Sequence, residues 1–600
     1  MILRALYDLA QAEHLVDDPD FVATEVAYCL SLGEAGKNAK LLLVATEVQE
    51  GKKTRIDLPR LRVAREPGRS GTKAPALFLA DKASFLFGLD ASRKAPISRT
   101  RAECQRFRDR SAAIRDAMPR GSTERRALDA LLAFLDLPEK ERHESLLTAY
   151  GAAASNRDKQ LVISKPIYVI YTPEGMTPLH LFPLVEKHWR QFRSTQKKEG
   201  VAVRCLVTGA TGTKAERHTF LKGVPGATSS GVPLVSFNSD AFESYGLVRN
   251  ENAPIGQDAA EAYAAALNRL LSNRPQGQDG AALQRQNLLL ANDTIAVFWA
   301  KEPRELSWLL ALSDNPDSIR SLLLAPYKGR KPALEDPDEF FTLILSGAQG
   351  RAVVRSFLAT TTMDVARNIQ QYLDDASIVR PYEETPGTYP LPALLASLAA
   401  LGETKRLPPR LGVEVYLAAL SGRPFPRSVL EAAVRRTRVE GPVGRGFAAR
   451  CSLIRASLIR NRSSREVPTV SLDLSNRQPA YLLGRILAIL DHVQQDALGS
   501  VNATLVDRYY GSASSTPGAV FPTLIRRSQH HFAKLRKEKA GLAVLREKLL
   551  QESLGDIHGF PRTMNLERQG LFALGFHHQR QAFFTKTKTE NTENANPPTA

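Results

Sequence analysis

Residues 480–499, AYLLGRILAILDHVQQDALG, decide how the second half of this chain is read. Their apolar side chains recur at helical spacing. PALLASLAALG, VEVYLAALSG and SVLEAAVRRT upstream share that spacing and carry few strand signals. Downstream, VFPTLIRRSQHHFAKLRKEKAGLAVLREKLLQESLG is another helical run with a long central helix. Residues 390–585 are therefore predicted to form a helical bundle. The closing stretch, TKTKTENTENANPPTA, lacks apolar content, so residues 586–600 are expected to be disordered.

Upstream the pattern differs. YCLSL, KLLLVATEV and ALFLA are strand-like clusters, and KPIYVIYT (165–172) and VRCLVTG (203–209) read as buried strands. Residues 99–150 read as helical, with leucines on one side and basic residues on the other. EAYAAALNRLLSN (261–273) and DVARNIQQYLDDA (364–376) are helices, DTIAVFWA (293–300) is a strand, and the first residues form a short amphipathic helix. At 600 residues the chain is too long for one ordinary domain. The predicted class is α+β: a mixed α/β N-terminal part followed by an all-α helical bundle. The boundaries read as an N-terminal α/β region (1–230), a middle α/β region (231–389) and the bundle (390–585).

Lys and Arg total 81 against 63 Asp and Glu, a net charge of +18. Such a surplus speaks of partners, not of fold. Nucleic acid ranks first, because neutralising phosphates releases counterions; an anionic membrane ranks second. No apolar run reaches the roughly 18 residues of a membrane span, and the N-terminus carries acids where a signal peptide is basic. A cytoplasmic protein without membrane attachment is expected. The four cysteines, Cys29, Cys104, Cys205 and Cys451, form no C-x-x-C pair and read as reduced, buried thiols.

The phosphate-binding look of VTGATGTK (207–214) does not survive inspection. Gly209 and Gly212 are too close for a P-loop, Ala215 follows Lys214, and no apolar helix comes next, so a loop between strands is the better reading. His530–His531 and His577–His578 are adjacent pairs that point apart on a helix and cannot share a metal as an i, i+4 pair does; they read as packed or solvent-facing. No catalytic residue, metal ligand or cofactor is assigned.

The basic segments are stronger signals. Residues 51–73, GKKTRIDLPRLRVAREPGRSGTK, hold eight basic residues and two acids. Residues 524–550 repeat this with Arg526, Arg527, Lys534, Arg536, Lys537, Lys539, Arg546 and Lys548 against Glu538 and Glu547. On one helix these cannot all share a face, yet much of its surface would be positive. The bland alternative is a solvated helix face. With aromatics at only 7%, backbone contact is favoured over base stacking. In LVSFNSDAFESYGLVRNENAPIG (234–256), Asn238, Arg249, Asn250 and Asn252 are groups suited to phosphate or base edges; the alternative is a turn in which Ser and Asn side chains bond the backbone while Phe242 and Tyr245 pack.

Long strings along the chain then carry a family likeness. MILRALYDLA, KAPALFLADKASFLFGLD (73–90), KGVPGATSSGVPLVSFNSDAFESYG (222–246), NAPIGQDAAEAYAAALNRLL (252–271), AYLLGRILAILDHVQQDALG, NATLVDRYYGSASSTPGAVFPTLIRRSQHHFAKL (502–535) and NLERQGLFALGFHHQRQAFF (565–584) resemble the large subunit of the type I-C CRISPR interference complex (Cascade, Dvulg subtype). The resemblance implies a non-enzymatic subunit that reads a protospacer-adjacent motif (PAM) on invading duplex DNA. It would help to open the strands, stabilise the R-loop and present the DNA to a helicase-nuclease. Implied partners are guide RNA, target duplex DNA, the backbone and guide-end-capping subunits, and a small subunit that residues 480–585 themselves resemble. Expected PAM contacts are Lys52, Lys53 and the tip Arg69, Ser70, Gly71, Thr72 and Lys73, where a glycine lets backbone approach a groove. Arg526, Arg527, Lys534, Arg536 and Lys537 are expected to hold displaced single-stranded DNA. The alternatives are a guide-processing enzyme or nuclease of the same system, and a scaffold that reads no bases.

Overall fold

The computed structural model describes residues 1–593 except 17, 19, 51–52, 67–73, 89–96, 143–164, 200, 229–230, 238, 276–281, 292, 303, 326–331, 349, 382, 384, 462–466 and 500. The chain divides into two compact units. The first comprises Met1–Lys222, Pro233–Arg269 and Arg274–Leu283; the second comprises Gly223–Val232, Leu270–Asn273 and Gln284–Ala600. The predicted α+β class holds, with mixed sheets in the N-terminal half and helices in the C-terminal part.

In the first unit, helix α1 (Ile2–Ala12) precedes strands β1 (Phe21–Glu25), β2 (Tyr28–Leu32), β3 (Lys40–Leu43), β4 (Thr46–Glu50), β5 (Lys53–Asp57), β6 (Arg60–Ala64) and β7 (Ala80–Asp81). Helices α2 (Ile97–Asp116) and α3 (Thr123–Leu135) and strand β8 (Ile167–Tyr171) follow. Next come α4 (Pro183–Glu199), β9 (Ala202–Arg204), β10 (Thr211–Thr213) and α5 (Gln257–Leu271), which passes into the second unit at Leu270. The main sheet has the order β3-β2-β8-β7, with β2 and β8 parallel and the other neighbours antiparallel. Every residue of YCLSL and IYVIY is buried, as near-continuous apolar runs are in strands covered on both faces. Leu30, Leu32 and Val169 belong to one core with Phe107 and Ile114 of α2, Leu131 and Phe134 of α3 and Trp189 of α4. The Ser122 side chain caps α3 by accepting from the Arg125 amide at 3.2 Å.

Three expectations change here. Of the stretch 203–209 only the first two residues are strand, the end of β9, because the Gly209 amide donates to Cys205 O at 2.8 Å and closes a turn that leaves Leu206 exposed. KLLLVATEV is split into β3 and β4, and ALFLA contributes only Ala80 to a strand.

The second unit opens with an antiparallel meander, β11 (Asn287–Ala291), β12 (Thr294–Ala300), β13 (Glu339–Ala348) and β14 (Arg351–Thr361). Helices α6 (Thr362–Ala376), α7 (Leu391–Leu398), α8 (Pro409–Ser421), α9 (Arg427–Glu440), α10 (Gly444–Arg460), α11 (Pro479–Leu498), α12 (Leu505–Ser515), α13 (Pro517–Glu538), α14 (Ala540–Leu554) and α15 (Leu566–Glu593) follow. Alternate residues of the sheet, Ala296, Phe298, Ala300, Phe340 and Ile344, share one core with these helices. The helical run 520–555 is two helices that break at Lys539, which has φ −147°. α15 runs through Glu593, into the segment expected to be disordered; extending an existing helix avoids the cost of nucleating one.

The unit is centred on the crossing of α11 and α15. A Cβ added at Gly484 would stand 2.1 Å from Phe572 O, and one at Gly575 would stand 2.1 Å from Tyr481 O. Only glycine permits that approach on both helices. The crossing seats His578, whose Nδ1 lies 3.0 Å from the Tyr481 hydroxyl, and His577, whose Nε2 lies 2.9 Å from Val379 O. Both histidines are packed and neutral: burial pushes His577 down to about 4 and His578 well below its ordinary value. Among the described residues, no helix is long and apolar enough to cross a membrane.

Candidate nucleic-acid interface

Phe521, Leu524, Ser528, Phe532 and Leu535 are the buried stripe of the central part of α13. At about 100° per residue, Arg526, Arg527, His530, Lys534 and Lys537 fall on the opposite side, within an arc of about 100°. All five are exposed. Arg536 falls outside that arc and donates to Glu547 of α14 at 2.7 Å. Four of the five predicted single-strand contacts thus share one outward face, and the fifth is turned towards a neighbouring helix.

Their pairing differs. Arg527 donates to the Tyr509 hydroxyl of α12 at 3.0 Å, and Lys534 lies 3.8 Å from Glu538. Arg526 and Lys537 make no hydrogen bond or ion pair among the described residues. Arg546, also in the basic run, is turned inward: it donates to Asp496 at 2.8 Å and lies over the Phe583 ring at 4.7 Å. From Arg526 to Lys537 the helix rises about 16 Å.

In the first basic segment, Lys52 and the tip Arg69, Ser70, Gly71, Thr72 and Lys73 lie outside the described residues. Lys53 opens β5, opposite Glu50. Other cations there are claimed by the fold. Arg62 donates to Asp18 at 2.9 Å and Glu186 at 2.7 Å, and sits over the Phe21 ring. Arg65 donates to the carbonyls of Asp18 and Phe21 at 3.1 and 2.8 Å. Burial works to raise the Asp18 carboxyl, but the Arg190 hydrogen bond and its neighbours hold it below its usual range.

The stretch 234–256 is a hydrogen-bonded loop of the first unit; Asn238 lies outside the described residues. Asn250, 6% exposed, donates through its amide to Ala215 O at 2.7 Å and Glu216 O at 3.0 Å. Asn252 donates to Leu247 O and Arg249 O, and accepts from the Ser244 amide and hydroxyl. Arg249 is exposed, with its backbone left-handed at φ 49°. Both asparagine side chains are therefore engaged in shaping the loop, a role their turn-forming chemistry allows but their position in sequence does not reveal.

In VTGATGTK only Val207–Ala210 lie between β9 and β10; Thr211–Thr213 are β10 itself, so the loop reading holds for the first half alone. Sequence gave no hint that it meets the start of α5: Cys205, Thr208, Gly212, Thr213 and Gln257 line a cavity of about 180 Å³. Burial alone would raise the Cys205 thiol, but hydrogen bonds from Thr208 and the Gly256 amide bring it below its ordinary value. Among the described residues, no group of three or more His, Cys, Asp or Glu is placed to hold a metal.

The family model for CRISPR-associated protein (Cas_Csd1) matches residues 3–584, and the chain belongs to that family. Curated proteins give no match to it.

Proposed function

We propose that this chain is the large subunit of a type I-C guide-RNA-directed surveillance complex. It reads the PAM on duplex DNA, helps to open the strands, and holds the displaced strand while a helicase-nuclease is recruited. In this reading it is not itself an enzyme and works in the cytoplasm with guide RNA, backbone and guide-end-capping subunits, and a small subunit. The observation that carries the reading is the outward cationic face of α13, where Arg526 and Lys537 are unpaired among the described residues and Arg527 and Lys534 stand beside them. Unpaired cations along a helix contact phosphates without sequence preference. Sequence reading is assigned to the tip Arg69–Lys73, and guide pairing supplies the rest of the specificity, as in a different class of RNA-guided effector.

The test is binding of the guide-loaded complex to duplexes that differ only in the PAM. Replacing Arg69, Thr72 and Lys73 by alanine should abolish the preference while leaving PAM-independent single-strand binding intact. Unchanged PAM preference sinks the assignment of the tip. Cleavage of labelled RNA or DNA by the purified chain with magnesium would replace the reading with a nuclease.

A further inference from the structure

Within the 234–256 loop, Ser244–Leu247 is a two-residue hairpin turn. The Leu247 amide donates to Ser244 O at 2.9 Å, and Tyr245 and Gly246 are both left-handed, at φ 55° and 74°. Those angles define a type I′ turn, whose first central position favours Asn, Asp or Gly. A tyrosine there costs conformational energy and persists only where its surroundings over-determine the turn. They do so here. Asn252 binds Leu247 O and Arg249 O, Glu251 accepts from the Val248 amide at 3.1 Å, and Asn250 ties the base of the loop to Ala215 and Glu216. The strained tip holds out a Tyr245 side chain that is 100% exposed, with Leu247 and Val248 exposed beside it.

We propose that this tip is a protein-docking knob that inserts Tyr245 into an apolar socket with a basic rim on a neighbouring subunit. Charge selects this occupant. The loop carries Asp240, Glu243 and Glu251 against Arg249, and with Lys214 standing 3.9 Å from Glu251 the surround stays net acidic, which disfavours a phosphate backbone and suits a cationic rim. Tyrosine is well suited to such a role, since it buries a large area at little cost in side-chain entropy. The inference rests on the reading that the chain works inside a multisubunit complex.

The test uses the full chain and the guide-RNA-loaded remainder of the complex purified without it. Tyr245→Asn supplies the residue that the turn prefers, so the variant should melt no lower than wild type. It should nonetheless dock on the remainder at least about tenfold more weakly, with unchanged affinity for duplex DNA; Tyr245→Phe should retain docking. Wild-type docking together with equal docking by Tyr245→Asn overturns the knob and leaves the subunit role standing. Failure of wild type itself to dock overturns both. A loss confined to duplex DNA affinity makes the tip a nucleobase contact instead, and a loss confined to self-association of the isolated chain makes its partner a second copy; either result overturns the proposal.

Discussion

Replacing Arg526, Arg527, Lys534 and Lys537 together by glutamine removes four cations from one face of α13 without touching its buried stripe. Each phosphate contact on a single strand contributes about 0.7 to the slope of log K against log salt. The quadruple variant should therefore lose about 2.8 from that slope, and at 0.1 M salt up to about 600-fold in affinity for displaced single strand. The fold should hold, because exposed pairs such as Lys534–Glu538 contribute about 0–1 kcal/mol. Arg536→Gln is the internal control. Its guanidinium lies off the outward face and is paired with Glu547, so its slope should change by well under 0.7. The assay is a salt titration of fluorescent single-stranded DNA binding, with melting followed by circular dichroism. A quadruple variant with the wild-type slope would refute the assignment of this face, as would an Arg536 variant that loses as much slope as the quadruple one.

Three further outcomes follow from the packing. Gly484→Ala or Gly575→Ala drives a methyl group into backbone carbonyls across the α11–α15 crossing, and each should cost about 3 kcal/mol, read as an earlier urea midpoint for the helical unit; a midpoint within error of wild type would show that the helices separate freely. His180, His218 and His577 are each held down to about 4 by burial, from 6.5 when exposed. The unfolded chain therefore takes up protons first as pH falls from about 6.5 to 4, and stability drops through that window, by up to about 3 kcal/mol per histidine; a melting temperature flat between pH 7 and 4.5 would contradict their neutral burial. Asn250→Ala removes the tie from the 234–256 loop to Ala215 and Glu216 and should speed amide exchange across 240–249 with little change in global melting; unaltered exchange would show that the other bonds suffice.

Much of the architecture is a local matter. Helical spacing at 261–273, 364–376 and 480–499 and the apolar run 293–300 place α5, α6, α11 and β12, because period and propensity act within a few residues. The stretch 203–209 misled because an apolar run does not reveal a closing turn between Cys205 and Gly209. The charge-based candidates fared unevenly for the same reason. A count of eight basic residues between 51 and 73 is a sum over side chains whose partners lie far away: Arg62 pairs with Glu186, 124 positions on.

The class of fold, the family strings and the positive surplus are legible in the chain, because all are properties of residues and their near neighbours. Folding selects which cations remain outward. It put Arg526 and Lys537 in solvent, gave Arg536 to Glu547 and Arg62 to Asp18 and Glu186, and turned Asn250 into the tie of a loop that displays Tyr245. The difference is one of range: a backbone period is written in adjacent residues, whereas the availability of a side chain depends on which distant group reaches it first.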